Sequence, residues 1–316
     1  MYPLYDSHYD LLTYILMKQK EPEFLINLCK TIYNPNNVIG GLINAYYMSK
    51  EKMKEELNID TFNSIEHFKI INKIINEYNL LPNRQSFFYS IEGCSYIDIK
   101  DLEPLYHLGL RSIIPTYNTD NKYGGGAFGD GNLGLTIEGK KLIDEALRLN
   151  IIIDISHLNH KTANDVLDYL LIKKEKGINS IVIASHSNVY ALAQRKRNIA
   201  DEIIKKIGKL DGLIGIVPLK SFCCSEDTNN YDEQFTKHIR YITSLIGIDK
   251  VCIASDNMDY HPDKDYQENA IYKIESFATS VYNVLKNYGF SEKEIRLIMQ
   301  DNFRKKIINK LNENSN

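Results

Sequence analysis

The sequence predicts an α/β chain folded as one (β/α)8 barrel of the TIM type. Three observations carry that reading. Eight short runs rich in β-branched residues alternate with stretches of helical spacing. The length, 316 residues, suits one such barrel, and no repeat, low-complexity tract or linker divides the chain. Polar residues with chemical capacity recur where the apolar runs give out, as they do at the carboxyl ends of barrel strands. Residues 1–316 are therefore expected to form a single domain, with C-terminal helices over about 268–312 packed on it. The competing architecture is an open doubly wound sheet. It would show a glycine-rich nucleotide turn after the first strand, and Asp6-Ser-His8-Tyr-Asp10 is not one.

The elements follow in order. The first strand is short, Tyr2 to Tyr5, and runs into His8 and Asp10. Helical sequence lies around Glu23 to Tyr33, the second strand is Val38 to Tyr47, and a long charged helical region spans Lys50 to Leu80. Strand three, Ser86 to Ile91, ends at Glu92-Gly-Cys94. A helix near Ile99 to Leu108 precedes strand four, Leu110 to Ile114, which ends at Pro115-Thr-Tyr117-Asn118. The glycine-rich stretch Tyr123 to Gly134 reads equally as a mobile surface loop or a site loop; no Lys-Ser/Thr closes it into a phosphate cradle. Thr136 caps a helix with an apolar face. Strands five and six are Ile151 to His157 and Ile181 to His186, joined by helical spacing over Lys161 to Lys176, which makes them parallel. Asp201 to Ile207 is helical, and strand seven is Leu213 to Leu219. A helix from Asp232 to Ile246 leads to strand eight, Val251 to Ala254, which ends at Ser255-Asp256. Ser291-Glu-Lys-Glu294 is a capping box for a late helix.

Composition narrows the function classes. The chain is 43% hydrophobic and 25% charged, with a formal net charge of −3. No basic field suits nucleic acid, and no basic amphipathic stretch suits a membrane surface. Five cysteines lacking a CxxC pair fit a reduced, cytoplasmic protein. The N-terminal residues lack a signal-peptide pattern, no apolar run approaches membrane-spanning length, and the polar C-terminus offers no lipid-anchor signal.

The groups at the strand ends are His8 and Asp10, Glu92, His157, His186 and Asp256. His8 and Asp10 are two apart, which on extended backbone puts both on one face as a chelate. Three imidazoles and two carboxylates exceed one tetrahedral ion and suit two metals sharing a carboxylate, with Glu92 as the bridge. Ligands of this kind without thiolate favour two Zn2+ per chain; manganese, iron and cobalt stay open. Such a pair holds a bridging hydroxide able to attack a carbonyl, and Asp256 can pass the proton to a departing nitrogen. In Gln194-Arg195-Lys196-Arg197-Asn198, either arginine can fix a substrate carboxylate with two parallel hydrogen bonds; spacing does not choose between Arg195 and Arg197.

These residues resemble the membrane dipeptidase (renal dipeptidase) family of zinc peptidases. Asp6-Ser-His8-Tyr-Asp10-Leu is similar to its Asp-Gly-His-Asn-Asp-Leu opening, Ile91-Glu92-Gly93 to its Glu-Gly segment, and Gly134-Leu-Thr-Ile-Glu-Gly139 to Gly-Leu-Thr-x-x-Gly. Asp154-Ile-Ser-His157, Ser185-His186-Ser187, Arg197-Asn198, Ser255-Asp256 and Asn302-Phe-Arg304 follow in the family's order. The resemblance implies a two-zinc barrel that cleaves dipeptides, often with a D-residue at the C-terminal position. His8 and Asp10 would hold one metal, His157 and His186 the other, with Glu92 between them. It implies an acid/base role for Asp256 and substrate-carboxylate binding by Arg197. It also places Tyr117 and Asn118 at the substrate, and a homodimer is an assembly open to the chain. Three departures stand out. Tyr117 replaces a histidine found in many members, where its hydroxyl can still donate to the oxyanion. The loop after Asp256, with Asp259, does not follow the family pattern. Trp is absent throughout. Two alternatives stay open: a metal-dependent amidase or deacylase acting on a modified amino acid or peptide natural product, and a degenerate barrel kept as a binding protein.

Overall fold

Eight parallel strands close in sequence order, β1 through β8, each hydrogen-bonded to the next and β8 to β1. This is the (β/α)8 barrel. The computed structural model describes residues 2–47, 62–226, 228, 230–256 and 264–313. The first part of the helical region expected from Lys50, and the loop with Asp259, lie outside the described residues.

The strands are β1 Leu4–Tyr9, β2 Val38–Tyr46, β3 Phe87–Glu92, β4 Leu110–Ile114, β5 Ile152–Asp154, β6 Val182–Ala184, β7 Leu213–Ile216 and β8 Val251–Ile253. Strand one differs from expectation. It starts later and runs through His8, so that histidine is a strand residue and not part of a following loop. A helix, Leu11–Met17, starts immediately beyond Asp10. Its residues Leu11 through Leu16 are all buried, so it shows no polar face for sequence periodicity to find. Strands five and six are shorter than the apolar runs that signal them. Their ends leave the ladder to carry His157 and His186 toward the axis, His157 with a left-handed φ of 64°.

Side-chain alternation sorts the barrel interior into layers. Leu42, Phe88, Ile152, Ile183, Leu213 and Cys252 form an apolar cluster near the amino ends of the strands. Phe303, Ile307 and Leu311 close it as a floor, with Phe303 stacked on Tyr5 at 5.6 Å. Asn302 ties that floor to the barrel, its Nδ2 donating to the carbonyls of Ile248 and Val251 at 2.8 Å each. Truncating a buried phenylalanine of this kind costs about 3–5 kcal/mol. Two residues further along the same strands the interior turns polar, with Asn44, Ser90, Asp154 and Ser185 all fully buried. The charged groups lie beyond them.

The helical expectations largely hold. Thr136 accepts from Gly139 N at the start of helix Ile137–Arg148, and Ser291 and Glu294 form the reciprocal capping box. Among the described residues, no helix is long and apolar enough to cross a membrane.

Candidate metal centre

The structure brings His8, Asp10, Glu92, His157, His186 and Asp256 to one end of the barrel, all buried. His8 sits on β1 and Glu92 ends β3. His157, His186 and Asp256 lie just past β5, β6 and β8. Asp10 is not on extended backbone, as its spacing from His8 suggests. It precedes helix Leu11–Met17 with φ −81° and ψ 35°, and that turn swings its carboxylate to 3.7 Å from His8 Nε2. Asp256 has φ 40° and Asn118 φ 57°, so three site residues with His157 adopt left-handed backbone. Each such residue costs of the order of 1–3 kcal/mol, held by the surrounding fold.

Glu92 is central. Its Oε2 lies 3.4 Å from His8 Nε2, while its Oε1 lies 3.2 Å from His186 Nε2 and in closer contact with His157 Nε2. The two oxygens thus face different partners. Donors bound tetrahedrally to one zinc at about 2.1 Å sit roughly 3.4 Å apart, so these separations fit shared ions. Among the described residues three overlapping groups have donor atoms within 4.8 Å of one another: His8, Asp10 and Glu92; Glu92, His157 and His186; and His8, His186 and Asp256.

The hydrogen bonds behind the rings fit metal ligation. His157 Nδ1 lies 2.8 Å from Asn118 Oδ1. An amide oxygen only accepts, so Nδ1 carries the proton and Nε2 presents a lone pair. Asn118 therefore commits its oxygen to aiming His157. His8 Nε2 and Asp10 Oδ1 are buried without a hydrogen-bond partner, as expected of atoms meant for a cation.

The titration pattern gives the same picture. Burial disfavours a proton on His8, yet Glu92, Asp10 and Asp256 outweigh it and push its pKa up to about 10. Burial and the Arg197 cation push His157 down to about 4, and burial and His8 hold His186 well below the usual histidine range. Glu92 is held well below the carboxylate range by His157 and His8 despite its burial. Burial, with Glu92 adding to it, raises Asp10. Three carboxylates around one imidazole leave a positive charge in demand at the spot where a cation would sit.

Burial raises Asp256 to about 7, with Glu92 adding to the shift and His8 and Arg197 opposing it. Its backbone N donates to His8 O at 3.0 Å, across the β8–β1 closure. The same closure is stitched by Asp6, whose Oδ1 accepts Ser255 N at 2.9 Å and whose Oδ2 accepts Ser255 Oγ at 2.5 Å. Tyr117 packs its ring 4.6 Å from that of His157 and 6.0 Å from that of Tyr46. Gly93 makes room for it: at φ 89°, a Cβ there would lie 2.7 Å from Tyr117 Cβ. Burial, together with Glu92 and Asp10, keeps the Tyr117 hydroxyl protonated.

The two arginines separate. Arg195 is a loop brace, its Nε and Nη2 donating to the carbonyls of Cys224 and Ser225. Arg197 is buried, packs over the Phe222 ring, and among the described residues has no hydrogen-bond partner for its guanidinium. Its neighbour Asn198 is fixed by bonds to the carbonyls of Ala193 and Phe222, so the loop presents Arg197 rigidly. The glycine-rich loop is a support: Ala127 N donates to His157 O at 2.8 Å and Phe128 N to Asn118 O at 2.6 Å.

With this arrangement in place, the profile of the membrane dipeptidase family, peptidase family M19, matches residues 41–316. The chain belongs to that family. Among curated relatives, a Klebsiella pneumoniae protein described as uncharacterized, from the pqqA 5' region, is 32% identical over 52% of this chain and 62% of its own length. An uncharacterized dipeptidase of Schizosaccharomyces pombe is 28% identical over 52% of this chain and 40% of its own length. The chain thus covers less than two thirds of either relative. A Rhodobacter sphaeroides metallopeptidase, solved with a phosphinate mimic of L-Ala-D-Ala, superposes with a TM-score of 0.76 at 19% identity, covering 99% of both chains. At that identity the likeness speaks for the barrel.

Asp6, Asp154 and Ser185 were not singled out by their sequence positions. The only signal was their recurrence beside ligands, as Asp-x-His, Asp-x-x-His and Ser-His.

Proposed function

We propose that this membrane dipeptidase family member is a dinuclear zinc dipeptidase that releases two free amino acids and accepts a D-residue at the C-terminal position. The observation that carries the reading is the division of Glu92, one oxygen toward His8 and the other toward His157 and His186. His8 with Asp10, and His157 with His186, would each hold one zinc, with Glu92 shared. Bound there, the metals supply Lewis acidity and a water acidified toward neutral pH.

The protein groups perform the rest. Arg197, buried and without a hydrogen bond among the described residues, takes the C-terminal carboxylate of the dipeptide and fixes its register. Tyr117 donates its hydroxyl proton to the developing oxyanion, a role that fits its resistance to ionisation. Asp256, raised to about 7, can accept a proton and return it to the leaving amine near neutral pH. The five free cysteines, four of them buried, support a reducing, cytoplasmic setting. A homodimer is part of the same reading and is checked by light scattering.

Elemental analysis and a panel of Xaa–Gly and Xaa–D-Ala dipeptides test the proposal together. The expected result is about two zinc per chain and release of free amino acids. A zinc-loaded chain that cleaves none of the panel would instead favour amide hydrolysis on a modified amino acid or peptide natural product, the reading that Tyr117 motivates.

A further inference from the structure

We propose that Ser185 is a positioning residue shared by both metal sets, fixing His8 of one and His186 of the other through a single hydroxyl. This rests on the two-metal reading above. Ser185 Oγ lies 2.8 Å from His186 Nδ1 and 3.3 Å from His8 Nδ1, and the two imidazoles sit with centroids 3.6 Å apart and planes tilted by 32°. If both rings present Nε2 to a metal, both Nδ1 atoms carry protons. A serine oxygen has two acceptor positions and one donor proton. The two Nδ1–H groups fill the acceptor positions, and the proton turns to Ser156 Oγ at 3.4 Å.

The backbone that carries the hydroxyl is held on both its N–H and its C=O side. Ser185 N donates to Asp154 Oδ1 at 3.1 Å, and Ser185 O accepts from Ser7 Oγ at 2.7 Å. The facing strand must carry glycine, because a Cβ on Gly215 would come within 1.9 Å of Ser185 O. The residue is fully buried, so no water replaces a lost bond without rearrangement. His157 is outside this arrangement, since Asn118 holds it separately. One hydroxyl thus reaches one ligand in each set, and a disturbance at one metal is transmitted to the other.

The test is a cobalt titration of chelator-treated full-length protein, followed by visible absorption. Wild type, Ser185→Ala and Ser112→Ala are compared. Ser112 is the control for a lost buried hydroxyl, because its Oγ has no hydrogen-bond partner. The expected result is two ions bound by wild type, both affinities weakened roughly 10- to 100-fold in Ser185→Ala, and both unchanged in Ser112→Ala. Ser185→Thr, which keeps the hydroxyl, should restore the coordination spectrum. If wild type binds two ions and Ser185→Ala weakens one set or neither, the sharing is wrong and the two-metal reading stands. Equal weakening by Ser112→Ala also overturns it, as an effect of packing. A wild type that binds fewer than two ions removes the two-metal reading and the sharing with it.

Discussion

Replacing Glu92 by glutamine removes one charge and almost no volume, so it isolates the ligand proposed to be shared. In the native site one oxygen is 3.4 Å from His8 Nε2 and the other 3.2 Å from His186 Nε2. A carboxamide has one acceptor oxygen and one NH2 donor, so one of the two sets must face N–H in place of a lone pair. That set drops from three donors to two and loses its shared anion. Contacts one layer behind a ligand are typically worth 10- to 100-fold in metal affinity. A direct anionic ligand exceeds them, so the weaker site should lose at least about 100-fold, about 2.7 kcal/mol. After dialysis against zinc-free buffer, elemental analysis of Glu92→Gln should give close to one zinc per chain, with kcat on a dipeptide falling in parallel. Circular dichroism should match wild type, since the substitution leaves the β3 ladder untouched. A variant that keeps two ions and turns over within tenfold of wild type would refute the assignment of Glu92 as the bridge.

Four further outcomes follow from the same geometry. Asp256→Asn should lower kcat by about 10²–10⁴ while metal content stays at the wild-type value, read by steady-state kinetics beside elemental analysis. Arg197→Lys keeps the charge but loses the planar fork, so kcat/KM for dipeptides should fall roughly 10- to 100-fold, mainly through KM. Tyr117→Phe should cost about 10²–10³ in kcat with KM little changed if its hydroxyl meets the oxyanion. In chelator-treated protein, the charge on His8 stabilises the fold. Burial opposes its protonation, but Glu92, Asp10 and Asp256 carry its pKa from 6.5 to about 10. That contribution is complete below pH 6.5 and drains away as pH rises through 10, so the metal-free protein should melt at a lower temperature at pH 10 than at pH 7. A melting temperature that stays level or climbs over that interval would contradict this.

The barrel was legible because its signals are local. Ile151 to Ile155 and Ile181 to Ala184 read as strands from β-branched content, and His157 and His186 announce where each ends. The candidate ligands, which the structure brings together at one end of the barrel, stood out for the same reason. What lay hidden depends on long-range contact or on the absence of a polar face. Helix Leu11–Met17 is buried along nearly its whole length and so lacks periodicity. Its start, in turn, sets the turn that moves Asp10, which the extended-strand argument missed. Ser185 meets His8 across a separation of 177 residues, and Asp6 meets Ser255 across 249, so their roles need the closed barrel. Arg195 and Arg197 share a charge run that spacing does not resolve, and burial separates them as the resemblance does.

The seam between the outermost strands has a consequence for biosynthesis. His8 and Asp10 are made well before the segment that Asp6 clasps, which follows Asp6 by 249 positions. Until then the β8–β1 side of the site is unjoined. On the two-metal proposal, a complete centre therefore requires ring closure. Metal-free protein should hold that joint more loosely, and protease nicking near Asp6 or Ser255 would report it.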